Sequence, residues 1–72
     1  MPQHRHPVEI IVNKRKVTVL GHEVTGLEIK QAADVPATFK LYNAHGKEVA
    51  NDHRVHVAHD QRFTAISGQD VS

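Results

Sequence analysis

The sequence contains no cysteine and no tryptophan, and it has one tyrosine and two phenylalanines among its 72 residues. Without cysteine, neither a disulfide framework nor a thiolate metal site can add stability, and a catalytic thiol is excluded. A chain of this length forms one domain, in the size range where a single core is barely sufficient. We therefore expect a core of Val, Ile, Leu and Ala, which suits a small sheet covered by one helix.

The chain also lacks an excess of charge and a long apolar run. Its formal net charge is +1 at pH 7, whereas binding to a phosphate backbone needs several clustered Lys or Arg side chains. The longest run of apolar β-branched residues, Ile10 to Val12, is far shorter than the roughly 20 residues of a membrane span. The first residues lack the apolar middle of a signal peptide. The sequence therefore predicts no nucleic-acid partner, no membrane partner and a cytoplasmic location.

One stretch in the first half of the chain carries both a start signal and a stop signal for a helix. Thr25 followed by Glu28 is a capping box, in which each side chain accepts a hydrogen bond from the backbone amide of the other residue. Val24 and Ile29 are spaced for a hydrophobic staple, and Pro36 disfavours the helical conformation at the residue before it. This pattern predicts one helix of about two to three turns that ends at Pro36.

Five further segments alternate between apolar and polar residues or are rich in β-branched residues, as strands are. They are residues 8–12, 17–20, 39–42, 53–59 and 62–66. The first two predict a hairpin around a polar turn that begins at Asn13, and residues 47–52 predict a short edge strand or an irregular segment. Residues 1–7 are expected to be a flexible lead-in and residues 68–72 a flexible tail, which leaves 8–67 as the domain.

The order strand, strand, helix, strand, short segment, strand is that of a β-grasp. Because crossovers between parallel strands are right-handed, the first and last strands are expected to lie adjacent and parallel in the middle of the sheet. We thus predict an α+β fold with a mixed four- to five-stranded sheet packed on one helix.

The opposite, helix-free face of this sheet is a candidate partner surface, because it is partly apolar. Its expected members are Ile11, Thr18, Tyr42, Thr64 and Ile66. The alternative is that the lead-in or the tail folds over Ile11 or Ile66, which would leave no free surface.

Several stretches of the sequence resemble a known family. They are residues 11–19, 24–33, 39–42 and 60–65. These residues are similar to the bacterial multiubiquitin family of ubiquitin-like domains, and the most specific part is Val-Thr-Gly-Leu-Glu-Ile-Lys, from Val24 to Lys30. The resemblance covers residues 8–66. It implies a β-grasp fold, a role as a protein modifier, and a gene neighbourhood that encodes an activating enzyme, a conjugating enzyme and a processing peptidase.

A modifier of this kind is activated with ATP at its C-terminal carboxylate, passed to an enzyme nucleophile and then joined to target proteins. The resemblance therefore implies that the tail is the processing and conjugation segment: Gly68, Gln69, Asp70, Val71 and Ser72. Ubiquitin ends in Gly-Gly, whereas this tail has one glycine. Three explanations stay open: a peptidase trims the tail, the enzymes accept a different end, or the chain stops short of its native terminus. The five lysines are equal candidates as acceptors for chain extension.

Other functions have less support. No nucleophile and base are paired as in an enzyme, and no cofactor is expected. His53, His56 and His59 follow one another at intervals of three, which alternates the faces of a strand and argues against a shared metal ion. The basic turn at residues 14–16 is more often solvated than a binding patch. The alternatives to a modifier are a non-conjugated interaction module, one unit of a multi-domain array and, with the least support, a sulfur carrier.

Overall fold

The computed structural model describes residues 6–67, which form one helix and seven strands. In chain order the elements are β1 (Pro7–Val12), β2 (Arg15–Leu20), β3 (Glu23–Thr25), α1 (Gly26–Ala32), β4 (Lys40–Asn43), β5 (Glu48–Val49), β6 (Arg54–His56) and β7 (Arg62–Ile66). The main sheet has five strands in the order β2-β1-β7-β4-β5. Its central strands β1 and β7 are parallel, and its other pairs are antiparallel. The predicted α+β β-grasp fold, with a mixed sheet and one helix, is confirmed.

The core lies between α1 and one face of the main sheet, and alternate residues of each strand point into it. Its buried apolar members are Val8, Ile10, Val12, Val17, Val19, Val24, Ile29, Leu41, Val49, Val57, Phe63 and Ala65. All of them except Phe63 are aliphatic, as the shortage of aromatic residues requires. Ile10, Ile29 and Leu41 are completely buried, which places the centre of the core where α1 crosses the sheet.

Asn13 closes the β1–β2 hairpin and also ties it to β7. Asn13 and Lys14 both have left-handed backbones, with φ of 53° and 69°, as a two-residue turn between twisted strands requires. The Asn13 side chain donates to the Ala65 carbonyl at 3.1 Å and accepts from the Ala65 amide at 2.9 Å. The backbone amide of Asn13 donates to the Phe63 carbonyl at 3.1 Å. The pairing of β1 with β7 therefore continues past the end of β1.

The start of α1 has both hydrogen bonds of the predicted capping box. The Glu28 amide donates to Thr25 Oγ1 at 3.1 Å, and the Thr25 amide donates to Glu28 Oε1 at 2.9 Å. Two backbone donors that lack partners within the helix are thereby satisfied. The prediction of the helix start is confirmed.

Replacing Thr25 with alanine should lower the free energy of unfolding by about 1 kcal/mol, because one of these two amides loses its acceptor. Thr25→Ser keeps a hydroxyl and should cost less than half of that. Urea denaturation followed by circular dichroism measures both changes. Equal losses for the two variants would show that the methyl group of Thr25, and not its cap, carries the effect.

The end of α1 differs from the prediction. The helix stops at Ala32, before Pro36, because Asp34 adopts a left-handed backbone with φ of 63°. The Val35 amide donates to the Lys30 carbonyl at 2.8 Å, and the Asp34 amide donates to the Gln31 carbonyl at 3.2 Å. These are the two bonds of a Schellman motif, which satisfies carbonyls at the end of the helix. The chain thus turns before proline can act.

Two strands also differ from the prediction. β3 was not predicted, and it pairs with β6 in a separate two-stranded sheet. The strand predicted at 53–59 is limited to β6, because the chain turns at Asp60, where φ is 67° and the Gln61 amide donates to the Ala58 carbonyl at 3.1 Å. At the other end of the chain, β1 begins at Pro7, within the predicted lead-in, and residues 1–5 lie outside the described residues.

Lys30 is the one polar or charged side chain buried in the described part of the chain, with 3% of its surface exposed. Its Nζ atom donates to the carbonyls of Ala37 and Phe39 and to Asn51 Oδ1; the bonds to Ala37 and Asn51 measure 3.2 Å and 2.6 Å. The ammonium group therefore uses all three of its donors. Lys30 joins α1 to the loop before β4 and to the loop after β5.

Candidate functional site

The helix-free face of the main sheet carries all five side chains that the sequence placed on the candidate partner surface. In β7, Thr64 and Ile66 alternate with buried Phe63 and Ala65, so both point away from α1. Tyr42 lies directly opposite Thr64 in the β4–β7 register. On the other side of β7, Ile11 in β1 and Thr18 in β2 also alternate with core residues.

Three of these five side chains line one shallow cleft of about 520 Å³, which we call the β4–β7 cleft. Its lining residues are Tyr42, Asn43, Ala44, Gly46, Arg62, Thr64 and Ile66. Most of them are uncharged, and Arg62 supplies the charge. A mainly apolar depression with one cationic side chain can hold an apolar side chain of a partner and pair with a nearby carboxylate or carbonyl oxygen.

The wall of the cleft is a turn that Asn43 holds in shape. Asn43 Oδ1 accepts from the amides of His45 at 2.8 Å and Lys47 at 2.9 Å, while the Asn43 carbonyl accepts from the Gly46 amide at 3.0 Å. Gly46 has φ of 81°, a conformation that glycine adopts without a steric cost. Ala44 and Gly46 are therefore fixed beside the sheet.

The other two predicted residues do not join this cleft. Ile11 is partly buried and lies opposite Lys16 in β2 and Arg62 in β7. Thr18 is exposed on β2, with β1 between it and β7. The structure thus separates the predicted surface into a compact cleft and two outlying positions. Whether any of these residues contacts a partner stays a prediction.

Asn43, Ala44, Gly46 and Arg62 belong to the cleft but were not predicted as site residues. Arg62 is two residues before Thr64 in the same strand, so strand alternation was a sufficient signal for it. Ala44 and Gly46 reach the cleft because they lie in the turn of residues 43–47. Side-chain hydrogen bonds shape this turn, and no alternation of apolar and polar residues marks it in the sequence.

Ile66 is the cleft residue that lies closest in sequence to the predicted tail. It is the last residue of β7, lies opposite Lys40 in β4, and exposes 50% of its surface. Gly68, Gln69, Asp70, Val71 and Ser72 lie outside the described residues.

The three histidines that follow one another at intervals of three are spread over different local structures. His53 precedes β6, His56 is in β6 opposite Glu23, and His59 is in the turn after it. Residues 6–67 contain no group of three His, Cys, Asp or Glu side chains that could hold a metal ion. His56 Nε2 lies 3.5 Å from Glu23 Oε2, and both side chains are well exposed.

The described part of the chain has no helix with the length and apolar character needed to cross a membrane. Its one helix, α1, has seven residues.

Comparison with known proteins agrees with this architecture. The family model described as Multiubiquitin matches residues 8–67, which include every element from β2 to β7 and all but the first residue of β1. Neither a curated protein nor a solved structure matches the chain. Because the family match covers most of the sequence and the fold is that of a ubiquitin-like domain, the chain belongs to the multiubiquitin family.

Proposed function

We propose that the chain is a ubiquitin-like protein modifier of a bacterial conjugation pathway and that it works in the cytoplasm. In the proposed reaction, the C-terminal carboxylate attacks the α-phosphate of ATP and releases pyrophosphate. An enzyme nucleophile then displaces AMP from the acyl-adenylate. An amine of a target protein finally displaces that enzyme and forms an amide. The chain is thus a substrate of an activating enzyme and a conjugating enzyme, and it is not itself an enzyme.

The observation that carries this proposal is the position of Ile66, which lines the β4–β7 cleft close in sequence to the tail. Ile66 lines the cleft and is two residues away from Gly68. An enzyme that holds the cleft would therefore have the start of the tail within reach of its own active site. This arrangement favours activation at the C-terminus, after a peptidase has trimmed the tail where trimming is needed.

The exposure of the lysines limits which of them can accept another copy of the chain. Lys14, Lys16, Lys40 and Lys47 are exposed, whereas Lys30 is buried and has three oxygen partners. A nucleophilic amine must reach the enzyme-bound acyl group, so we expect chain extension at the four exposed lysines and none at Lys30.

Intact-mass spectrometry tests the proposal directly. The full chain, a chain that ends at Gly68, and the full chain treated with the pathway peptidase are each incubated with the cognate activating enzyme and ATP. At least one of the three should form a covalent adduct with the enzyme, which a thiol reductant or hydroxylamine releases. The same sample without ATP is the control.

Two other results would favour an alternative function, either the interaction module or the sulfur carrier. If none of the three samples forms an adduct although the enzyme is folded and binds ATP, the chain is an interaction module that is not conjugated. If a persulfide sulfur donor and a thiol reductant are added and the product is a chain in which sulfur has replaced one oxygen, the chain is a sulfur carrier. Either result overturns the modifier function.

A further inference from the structure

The β2 strand is an outer edge of the main sheet, because it pairs only with β1 among the described residues. The Gly21 amide donates to the His6 carbonyl at 3.0 Å, so His6 and Gly21 form a hydrogen-bonded pair. Along an antiparallel pair of strands, hydrogen-bonded and non-hydrogen-bonded residue pairs alternate. This alternation turns the backbone N–H and C=O groups of Lys16, Thr18 and Leu20 away from β1. These groups form an outward-facing row to which another strand can bind.

A groove runs beside this row, between β2 and α1. It consists of a cleft of about 620 Å³ near the hairpin turn and a cleft of about 280 Å³ near the other end of β2. Thr18 and Ala32 line both clefts, so the groove follows most of the strand. Val17, Ala33 and Val35 add small or apolar side chains to its larger part. We call the outward-facing row and this groove together the β2-edge groove.

The two ends of the β2-edge groove differ in character. Near one end, Leu20 exposes 57% of its surface, and it is one of two exposed large hydrophobic side chains in the described residues. Near the other end, Lys14, Arg15 and Lys16 are all exposed, and Asp34 is the one acidic residue that lines that cleft. Positive charge is thus in excess at the hairpin end.

We propose that the β2-edge groove binds an extended, acidic segment of a partner protein as a sixth strand of the sheet. The backbone of the segment pairs with Lys16, Thr18 and Leu20, as in the addition of a strand to a sheet edge. Alternate aliphatic side chains of the segment enter the groove over Ala32 and Val35. Its acidic residues lie beside the basic hairpin end, where charge complementarity fixes the direction of the strand.

Basic residues on an edge strand also have a purely protective role, since they oppose pairing between sheet edges. Protection alone does not account for the exposed Leu20 or for the groove beside the strand. The proposed binding is noncovalent and needs neither the β4–β7 cleft nor the tail, so it does not depend on the proposed modifier function.

Nuclear magnetic resonance of the ¹⁵N-labelled full chain tests this proposal. The probe is a synthetic peptide in which alternating Val and Ile residues are followed by Asp and Glu residues. We expect its addition to shift the amide signals of β2 and of the end of α1, and to slow hydrogen exchange at the amides of Lys16, Thr18 and Leu20. Binding should weaken as salt is added. A matched peptide with Lys in place of Asp and Glu is the control.

Three variants separate strand pairing, charge and folding. Thr18→Pro removes an outward-facing N–H group that β1 does not use, and edge strands tolerate proline at such positions; it should weaken binding at least tenfold. If that variant does not fold, the double variant Arg15→Glu and Lys16→Glu, which changes only exposed side chains, should give the same loss. Ile66→Asp, in the β4–β7 cleft, should leave peptide binding unchanged.

Other results would overturn the proposal. One is a set of shifts on Tyr42 and Thr64 with none on β2. Another is equal binding of the lysine-containing control peptide. A third is concentration-dependent dimerisation through β2 without peptide, which would make the groove an interface between two copies of the chain. Absence of any shift at millimolar peptide would also exclude the acidic-segment assignment.

Discussion

Replacing Gly26 with alanine is expected to destabilise the protein by about 3 kcal/mol, the upper end of the range for overpacking a buried site. A Cβ atom at this position would lie 2.3 Å from the Ala50 carbonyl oxygen and 3.1 Å from the Val49 carbonyl oxygen. Backbone hydrogen bonds hold this contact, since the Gly26 amide donates to His53 and the Leu27 amide to Asn51, each at 3.1 Å. The helix would have to move away from the loop after β5.

The sign of this effect makes the test decisive. Inside a helix, alanine is normally more favourable than glycine by about 0.5–1 kcal/mol. Helix propensity alone therefore predicts that Gly26→Ala stabilises the protein, and a stability gain in chemical denaturation would contradict the close approach described above. Gly21→Ala is the control, because nothing lies within 4 Å of its Cβ position and its cost comes from φ of +100° alone.

Replacing Lys30 with alanine is expected to cost about 3 kcal/mol, because charge-assisted hydrogen bonds and the packing of the aliphatic stem are lost together. The Phe39 carbonyl and Asn51 Oδ1 would lose this donor, whereas the Ala37 carbonyl would keep the Asn51 amide as a donor at 3.3 Å. The loss should appear as a lower midpoint of urea denaturation.

Two further variants separate the charge of Lys30 from its packing. Lys30→Met retains most of the stem but no donor, so it should lose about 2 kcal/mol, the cost of leaving buried acceptors without a partner. Lys40→Ala changes an exposed lysine and should stay within about 0.5 kcal/mol of the parent chain. Similar stabilities for all three lysine variants would mean that the buried bonds of Lys30 contribute nothing.

The sequence predicted the start of α1 but not its end, and the reason is physical. A capping box depends on two residues three apart, so Thr25 and Glu28 define it locally. The Schellman ending depends on a left-handed conformation at Asp34, which glycine or asparagine adopts more often. In the sequence, Pro36 is the stronger signal for the end of the helix, but the chain turns at Asp34, before Pro36.

The strands show the same division between local and distant causes. Alternation located β1, β2 and β7 to within a residue or two, because each has one face in the core. β3 has three residues and exists through its pairing with β6, about 30 positions further along the chain. The residues Glu23–Thr25 carry no sequence pattern that indicates their pairing with β6.

Alternation also explains how much of the candidate site was predictable. It placed Tyr42, Thr64 and Ile66 on the helix-free face, because side chains of a strand alternate between its two faces. It could not separate them from Ile11 and Thr18, since that requires the order of the strands and the shape of the Asn43 turn. Lys30 likewise looked like any helical lysine until its three oxygen partners, from distant loops, were known.

Two single variants test whether the activating enzyme holds the β4–β7 cleft when it activates the C-terminus. Ile66→Asp and Leu20→Asp place the same charge at the two exposed large hydrophobic residues of positions 6–67, but only the first lies in the cleft. The rate of ATP-dependent adduct formation should fall at least tenfold for Ile66→Asp and stay unchanged for Leu20→Asp, with both variants folded. Equal rates for the two variants would contradict this role of the cleft.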